Sequence, residues 1–136
     1  MSEYQGGCLC GGLRYTLKAE PKMVTVCHCT HCQKTSGSAF SVNVIAAAAD
    51  FEFVGDLAIY ADTADSGNVL KRSFCPKCGS SIGSQSSARP NVFVLKAGSL
   101  DDNSVLQTIA LQIWTTSKQP WVKFGFETPS FEKSRT

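Results

Sequence analysis

The sequence predicts a mainly β protein with very little helix, built as a sandwich or a folded sheet. Short segments that alternate apolar and polar residues recur along the chain, and glycine-rich or polar turns separate them. Because a strand places successive side chains on opposite faces, this alternation is typical of half-buried strands. The length of 136 residues predicts one domain, 1–136, with a core at about 5–122 and a C-terminal tail at about 128–136.

About eight segments carry the strand pattern, and β-branched and aromatic residues are concentrated in them. The glycine pair Gly11-Gly12 precedes the first segment. Gly55-Asp56 predicts a hairpin turn between two later ones. The predicted strands are 13–17, 23–26, 40–45, 51–54, 57–60, 69–74, 91–95 and 109–115.

Helix is predicted at two places. The first is a short helix over residues 30–35, ended by Gly37, because glycine readily adopts the left-handed conformation that terminates helices. The second is a single turn over residues 46–49, which stand between two strand patterns. The tail at 128–136 is polar, and we expect it to be frayed.

Composition and charge exclude several classes of function. The formal net charge of +2 is too small to indicate a nucleic-acid partner. No apolar run approaches the roughly 20 residues that span a bilayer, so no membrane partner is expected. The first residues lack the basic start and apolar core of a signal peptide. We therefore predict a cytoplasmic protein, in which the seven cysteines stay reduced.

Two separated cysteine pairs predict one closed zinc site. Cys75 and Cys78 form a C-x-x-C knuckle, in which Pro76 favours the tight turn that lets both sulfurs reach one ion. A structural zinc takes four ligands, so this pair needs a second one. Cys8 and Cys10 supply it, which gives a structural zinc on all four cysteines. Surface thiols without metal are the alternative.

The other three cysteines form a different kind of cluster. Cys27, Cys29 and Cys32 lie within six residues of sequence, and no eighth cysteine closes the site. A catalytic zinc keeps three protein ligands and one open position, so we predict a second, more labile zinc here. Closure by His28 or His31, an iron–sulfur cluster and a disulfide framework are the alternatives.

Taken together, these motifs resemble one known family over residues 5–122, nearly the whole chain. In order, they are GGCLCGGxxY, CHCxxCQK followed by Ser36-Gly37, FCxxCGS, VxxAGxLDD and the ending Ile113-Trp114…Lys118…Trp121. The chain thereby resembles the glutathione-dependent formaldehyde-activating enzymes, a family that also includes centromere protein V. The order of the motifs is far more specific than any single C-x-x-C.

The resemblance implies a fold, a metal content and an activity. The fold is a β-tent of two antiparallel sheets with zinc knuckles, and the two zinc ions are the structural and catalytic ones described above. The activity is that of a zinc-dependent carbon–sulfur lyase acting on small thiol adducts such as S-hydroxymethylglutathione. One position departs from the pattern, because Gln112 stands where the family commonly carries a histidine before Ile-Trp.

The catalytic site is predicted to contain Cys27, Cys29 and Cys32. A cation beside them would offset the charge of a bound thiolate, and Lys34 is the predicted one, with Arg72 second. His28 and His31 are candidates for proton transfer. Three aromatic residues, Phe40, Trp114 and Trp121, are candidate walls of a small pocket. The alternative function is a non-catalytic, zinc-stabilised binding module that holds a small molecule or a protein partner in the β-tent groove.

Overall fold

The computed structural model describes residues 3–133. Strands dominate these residues, and they are accompanied by the short helix α1 (Thr30–Ser36) and by 3-10 turns. The strands, in chain order, are β1 (Tyr4–Gly7), β2 (Arg14–Leu17), β3 (Met23–Cys27), β4 (Ser41–Ala47), β5 (Phe51–Val54), β6 (Ala58–Thr63), β7 (Val69–Phe74), β8 (Ser81–Ser86), β9 (Val92–Lys96) and β10 (Leu111–Ile113).

These strands form two sheets. The smaller sheet has the order β1-β2-β5, and the larger has the order β10-β3-β4-β9-β8-β7-β6. Among these strands every neighbouring pair is antiparallel except β10 with β3, which is parallel. The predicted mainly β fold of two sheets with very little helix is confirmed, and the parallel pair makes the larger sheet a mixed one.

Strands β1 and β8 were not predicted from the sequence. Both are rich in small or polar residues, which have weak intrinsic strand preference. Tertiary pairing makes them strands, since β1 pairs with β2 and β8 lies between β7 and β9. Gly83 in β8 is required by close packing, because a Cβ atom there would lie 2.4 Å from the carbonyl oxygen of Val94.

The predicted hairpin at Gly55-Asp56 is wrong. Strand β5 pairs with β2 in the small sheet, whereas β6 pairs with β7 at the edge of the large sheet. The chain therefore crosses from one sheet to the other here. Gly55 has a φ of 106°, and a Cβ atom on it would lie 2.0 Å from the carbonyl oxygen of Gly12. Glycine is required at position 55 by this close crossing of the chain and not by a hairpin turn.

The short helix is confirmed, and the single turn predicted over 46–49 lies at 48–50, because residues 46 and 47 continue β4. Helix α1 ends at Gly37, which has a φ of 64° and donates its backbone N–H to the carbonyl of Gln33. A single 3-10 turn, Ala48–Asp50, follows β4. None of the described helices is long and apolar enough to cross a membrane.

The small sheet packs on one face of the large sheet through an apolar core. Phe51 and Phe53 of β5 contact Phe93 of β9, with ring centroids 4.9 and 5.6 Å apart. Val44 and Leu95, which are fully buried, belong to the same cluster. Burial of this kind stabilises the fold by roughly 25 cal/mol for each Å² of apolar surface removed from water.

The opposite face of the large sheet carries a group of buried polar side chains. Cα partners in neighbouring strands point to the same side, as do residues two apart in one strand. The register places Cys27 opposite Ser41, Thr25 opposite Asn43, Asn43 opposite Lys96, and Arg72 opposite Ser84. The buried polar residues on this face are Thr25, Ser41, Asn43, Arg72, Ser84 and Lys96.

The C-terminal tail is ordered along β10 as far as the structure describes it. Gln112 donates its backbone N–H to the carbonyl of Pro129 at 2.8 Å, and Phe131 donates to the carbonyl of Gln112 at 3.0 Å. The prediction of a frayed tail is therefore wrong for residues 129–133. Residues 134–136 lie outside the described part of the chain.

The fold should lose stability at alkaline pH through Tyr15. This side chain is 2% exposed, and its hydroxyl lies 2.8 Å from Ser99 Oγ. Burial raises the pKa of Tyr15 to about 12, whereas an unfolded tyrosine has a pKa of about 10. The folded state thus favours the neutral phenol. The stability that Tyr15 contributes is therefore complete below about pH 10 and is lost as the pH rises through the pKa of Tyr15 in the folded protein.

The measurement is the free energy of unfolding from neutral to strongly alkaline pH. We expect wild type to lose about 3 kcal/mol through this step. Tyr15→Phe should cost about 1 kcal/mol at neutral pH through its lost hydrogen bond, but it should remove the alkaline step. Tyr60→Phe is the matched control, since Tyr60 is 61% exposed. Persistence of the step in Tyr15→Phe would contradict the assignment.

Candidate metal centres

The four cysteines of the two separated pairs converge, as the sequence predicts. Their sulfur atoms all lie within 4.8 Å of one another. Cys8 Sγ lies 3.5 Å from Cys10 Sγ, which lies 3.8 Å from Cys75 Sγ. Zinc–sulfur bonds of about 2.3 Å in a tetrahedron place the sulfurs about 3.8 Å apart. The spacing of these sulfurs fits a tetrahedral zinc.

Tight turns and backbone amides build this four-cysteine cluster. The amide of Leu13 donates to Cys8 Sγ at 3.3 Å, and the amide of Gly12 donates to Cys10 Sγ at 3.4 Å. Such bonds stabilise thiolates, the form that binds metal. The hydroxyl of Ser80, helped by its amide, lowers the pKa of the Cys78 thiol to about 5. The cluster joins the β1–β2 loop to the β7–β8 turn, and so connects the two sheets.

The central cluster is assembled where β3 leads into α1. Cys27 ends β3, and Cys29 caps α1 by accepting a hydrogen bond from the amide of Cys32 at 3.2 Å. The three sulfurs lie within 4.8 Å of one another, and no histidine or carboxylate of residues 3–133 joins that group. Cys27 and Cys32 are buried. This arrangement favours the predicted three-ligand site over one closed by histidine.

The three central thiols change one another's pKa values through hydrogen bonds. Hydrogen bonding from Cys27, and then from Cys32, lowers the pKa of Cys29 to about 2. The same contacts, together with burial, raise the pKa of Cys27 well above its ordinary range. A divalent cation allows all three to ionise, so the donor set fits zinc as well.

Both histidines point to partners other than the cysteines. His28 is fully buried, with its Nε2 2.8 Å from Gln112 Oε1. Its ring packs against Phe40 and Phe124, with centroids 5.9 and 6.2 Å away. Its Nδ1 is buried without a hydrogen-bond partner among the described residues. Gln112, at the departure from the family pattern, therefore holds the buried His28 side chain by a hydrogen bond.

His31 belongs to an ionic group reached from a distant strand. Its Nδ1 and the Nε of Arg72 both donate to Asp62 Oδ2 at 2.7 Å. Burial alone would raise the pKa of Asp62, but hydrogen bonds from His31 and then Arg72 hold it below its ordinary value. Asp62 is therefore a carboxylate at neutral pH. It fixes the His31 ring and leaves Nε2 facing away from the carboxylate.

Two buried cations lie near the central cluster. Arg72, a predicted candidate, is buried on β7 and interacts electrostatically with Cys29. Lys96 is buried on β9 and interacts with Cys32 and then with the other two sulfurs. Burial lowers the pKa of Lys96. Sequence reasoning missed Lys96, because its strand pattern indicates only that it faces away from Leu95.

Lys34, the predicted catalytic cation, lies on the exposed side of α1. Successive helix residues are about 100° apart, so Lys34 and the buried Cys32 point in nearly opposite directions. Lys34 lines a shallow hollow with Gln33, Gln119 and Trp121. Its catalytic role stays a prediction.

The three predicted wall aromatics are separated. Phe40 packs on His28 and Phe124, and Trp121 is 69% exposed in the hollow. Trp114 has a φ of 58°, an uncommon left-handed conformation for a bulky residue. It turns the chain from β10 into the 3-10 turn Thr115–Ser117, whose last carbonyl accepts a hydrogen bond from Gln33.

Comparison with known proteins decides the family. A profile of the family described as glutathione-dependent formaldehyde-activating enzyme matches residues 3–117. The chain belongs to this family. The resemblance noted in the motifs is therefore confirmed.

Solved structures and curated proteins provide two further comparisons. A crystal structure of a Rhodobacter sphaeroides protein, a structural genomics target, superposes with a TM-score of 0.56 and 19% sequence identity. The match covers 77% of this chain and 96% of that chain. At this identity the likeness concerns the fold alone. A search of curated proteins found no match.

The two clusters should release metal in a fixed order. At equilibrium with chelators of increasing strength, we expect the central cluster to lose its zinc first, because it offers one fewer thiolate. About one equivalent should leave while the circular dichroism spectrum and the melting transition persist. Zinc content is measured at equilibrium and not as a rate of release, because solvent exposure favours faster release from the four-cysteine cluster. Cys10 of that cluster is exposed, whereas Cys27 of the central cluster is buried. Simultaneous loss of both ions with unfolding would contradict the assignment.

Proposed function

We propose that this formaldehyde-activating family member is a zinc-dependent carbon–sulfur lyase that makes and breaks adducts of formaldehyde with a small thiol. The observation that carries the proposal is the central cluster itself. Three cysteine sulfurs converge at a buried polar face that also carries Arg72 and Lys96. His31, which precedes Cys32 in the chain, is bound to the carboxylate of Asp62.

The proposed reaction is balanced without any redox partner. In the cleavage direction, an S-hydroxymethyl thioether loses the proton of its hydroxyl group, its carbon–oxygen bond becomes a carbonyl, and its carbon–sulfur bond breaks. The sulfur leaves with the electron pair, and reprotonation gives the free thiol and formaldehyde. Zinc held by Cys27, Cys29 and Cys32 would supply a Lewis acid for an oxygen or sulfur of the adduct.

The ionic group around Asp62 supports the proton transfer. Since Nδ1 of His31 donates to Asp62, Nε2 is the atom that can accept the hydroxyl proton and return it to the sulfur. The His31 side chain is 41% exposed, so it can also exchange that proton with solvent. Arg72 is bonded to the same oxygen of Asp62 and keeps it ionised. His31 is thus a better candidate for this role than His28, which is fully buried.

The identity of the thiol is the finer part of the proposal. Glutathione is the expected partner from the family, but this chain carries Gln112 in place of the family's histidine. We therefore expect modest activity with glutathione and better turnover of another small thiol. A reducing cytoplasm, which keeps seven cysteines as thiols, is the expected location.

Exchange spectroscopy tests the proposal. Formaldehyde and a thiol equilibrate with their adduct, and nuclear magnetic resonance exchange measures the rate with and without the zinc-loaded protein. We expect the protein to accelerate exchange for at least one thiol in a panel that contains glutathione. No acceleration for any thiol would contradict the lyase proposal and favour a binding module that uses the same groove.

A further inference from the structure

The buried lysine Lys96 lacks a counter-ion of the ordinary kind. It is 8% exposed, and its Nζ donates to Ser41 Oγ at 2.7 Å and to Asn43 Oδ1 at 3.5 Å. Both acceptors are neutral. No carboxylate among the described residues forms an ion pair with it. Lysine is almost never buried in this way unless a negative charge compensates it.

The polar partners of Lys96 are arranged to hold a cation in one position. Ser41 donates its own proton to Asn43 Oδ1 at 2.6 Å, so its oxygen lone pairs face the ammonium group. An ammonium group has three protons. Two of them have acceptors among residues 3–133, and one remains for a ligand.

The negative charge that Lys96 faces is that of the central cluster. Its hydrogen-bond acceptor Ser41 is the cross-strand partner of Cys27, which places Lys96 beside the cluster. The largest charge–charge interaction of Lys96 is attraction to Cys32, followed by repulsion from Arg72 and attraction to Cys27 and Cys29. The other cation, Arg72, is already compensated by Asp62. Three thiolates around a divalent ion leave about one net negative charge, and an anionic fourth ligand adds about one more. Lys96 is the cation that can offset that second charge.

We propose that Lys96 makes the open position of the central cluster selective for an anionic ligand over a neutral one. The chemical class is a small soft anion, of which the thiolate of a substrate is one member. The identity of the substrate thiol rests on the proposed function. The preference for an anionic ligand concerns binding alone and does not require catalysis.

The test measures ligand binding to cobalt(II)-loaded protein, in which the visible absorption bands report the fourth ligand. Thiocyanate is the anionic probe and imidazole the neutral one. In Lys96→Met, we expect the dissociation constant for thiocyanate to rise by about tenfold or more, while that for imidazole changes by less than about twofold. Lys71→Met is the matched control, because Lys71 is exposed on β7 and faces away from Arg72. It should change neither constant.

Lys96→Gln repeats the loss of charge with a polar side chain, in case the methionine variant does not fold. The proposal is overturned if thiocyanate binds both variants as it binds wild type, or if both probes weaken alike. It is also overturned if neither neutral variant folds, since Lys96 would then be a structural residue, or if the central cluster takes up no cobalt. Because no turnover is measured, a protein without lyase activity can still pass this test.

Discussion

Cys78→Ala is expected to leave the protein insoluble or molten. The substitution removes one of four ligands from the cluster that joins the β1–β2 loop to the β7–β8 turn. A structural zinc contributes on the order of 10 kcal/mol, which is comparable to the whole net stability of a small domain. The measurements are soluble yield, near-ultraviolet circular dichroism and zinc content per chain.

The control for this substitution is Lys77→Ala in the same knuckle. Lys77 is exposed, so its removal should change stability by no more than about 0.5 kcal/mol. A Cys78→Ala protein that melts cooperatively and keeps the zinc content of wild type would show that this four-cysteine assignment is wrong.

Cys32→Ser is expected to abolish turnover while the fold survives. The two clusters use separate cysteines, so the four-cysteine zinc and the melting transition should persist. Serine is nearly isosteric with cysteine but is a poor ligand for zinc, and loss of a group that binds the reacting atoms costs a large part of the rate. Exchange between thiol and adduct should fall to the rate without protein.

Ser36→Ala is a matched control on the same helix, since Ser36 Oγ donates to backbone carbonyls, that of Cys32 at 2.6 Å and those of Phe40 and Gln33 at 3.4 and 3.5 Å. It should retain turnover. If Cys32→Ser accelerates exchange as well as wild type does, the reaction does not use the central cluster. If the variant unfolds, the two clusters are not independent.

The sequence was sufficient for features that depend on local patterns. Alternation located β5 at its observed bounds, Phe51–Val54, and Gly37 ended α1 as expected. The cysteine groups also followed from spacing, because two isolated pairs need each other to complete a tetrahedron. Each of these features depends either on residues close together in the sequence or on the number of ligands that one zinc ion takes.

Two charged neighbours of the central cluster, Lys96 and Asp62, could not be predicted, since their positions depend on register between strands. Lys96 stands in an apolar strand, and only the pairing of β4 with β9 places it beside Asn43. His31 and Asp62 are far apart in sequence, and Asp62 lies on a strand for which a hairpin with β5 was predicted. Because β6 was predicted to pair with β5, the contact between Asp62 and His31 could not be inferred.

The path of the chain through the four-cysteine cluster dictates an order of assembly. The segment between Cys8 and Cys75 contains β2 to β7, α1 and all three central cysteines. Closing so long a loop is entropically costly and is compensated only when both of its ends meet. During synthesis, the four-cysteine cluster can therefore form only after Cys78 has left the ribosome, whereas the three central cysteines lie within six residues and emerge earlier. A metal ion bound by the four-cysteine cluster would close a loop that already contains the central cluster.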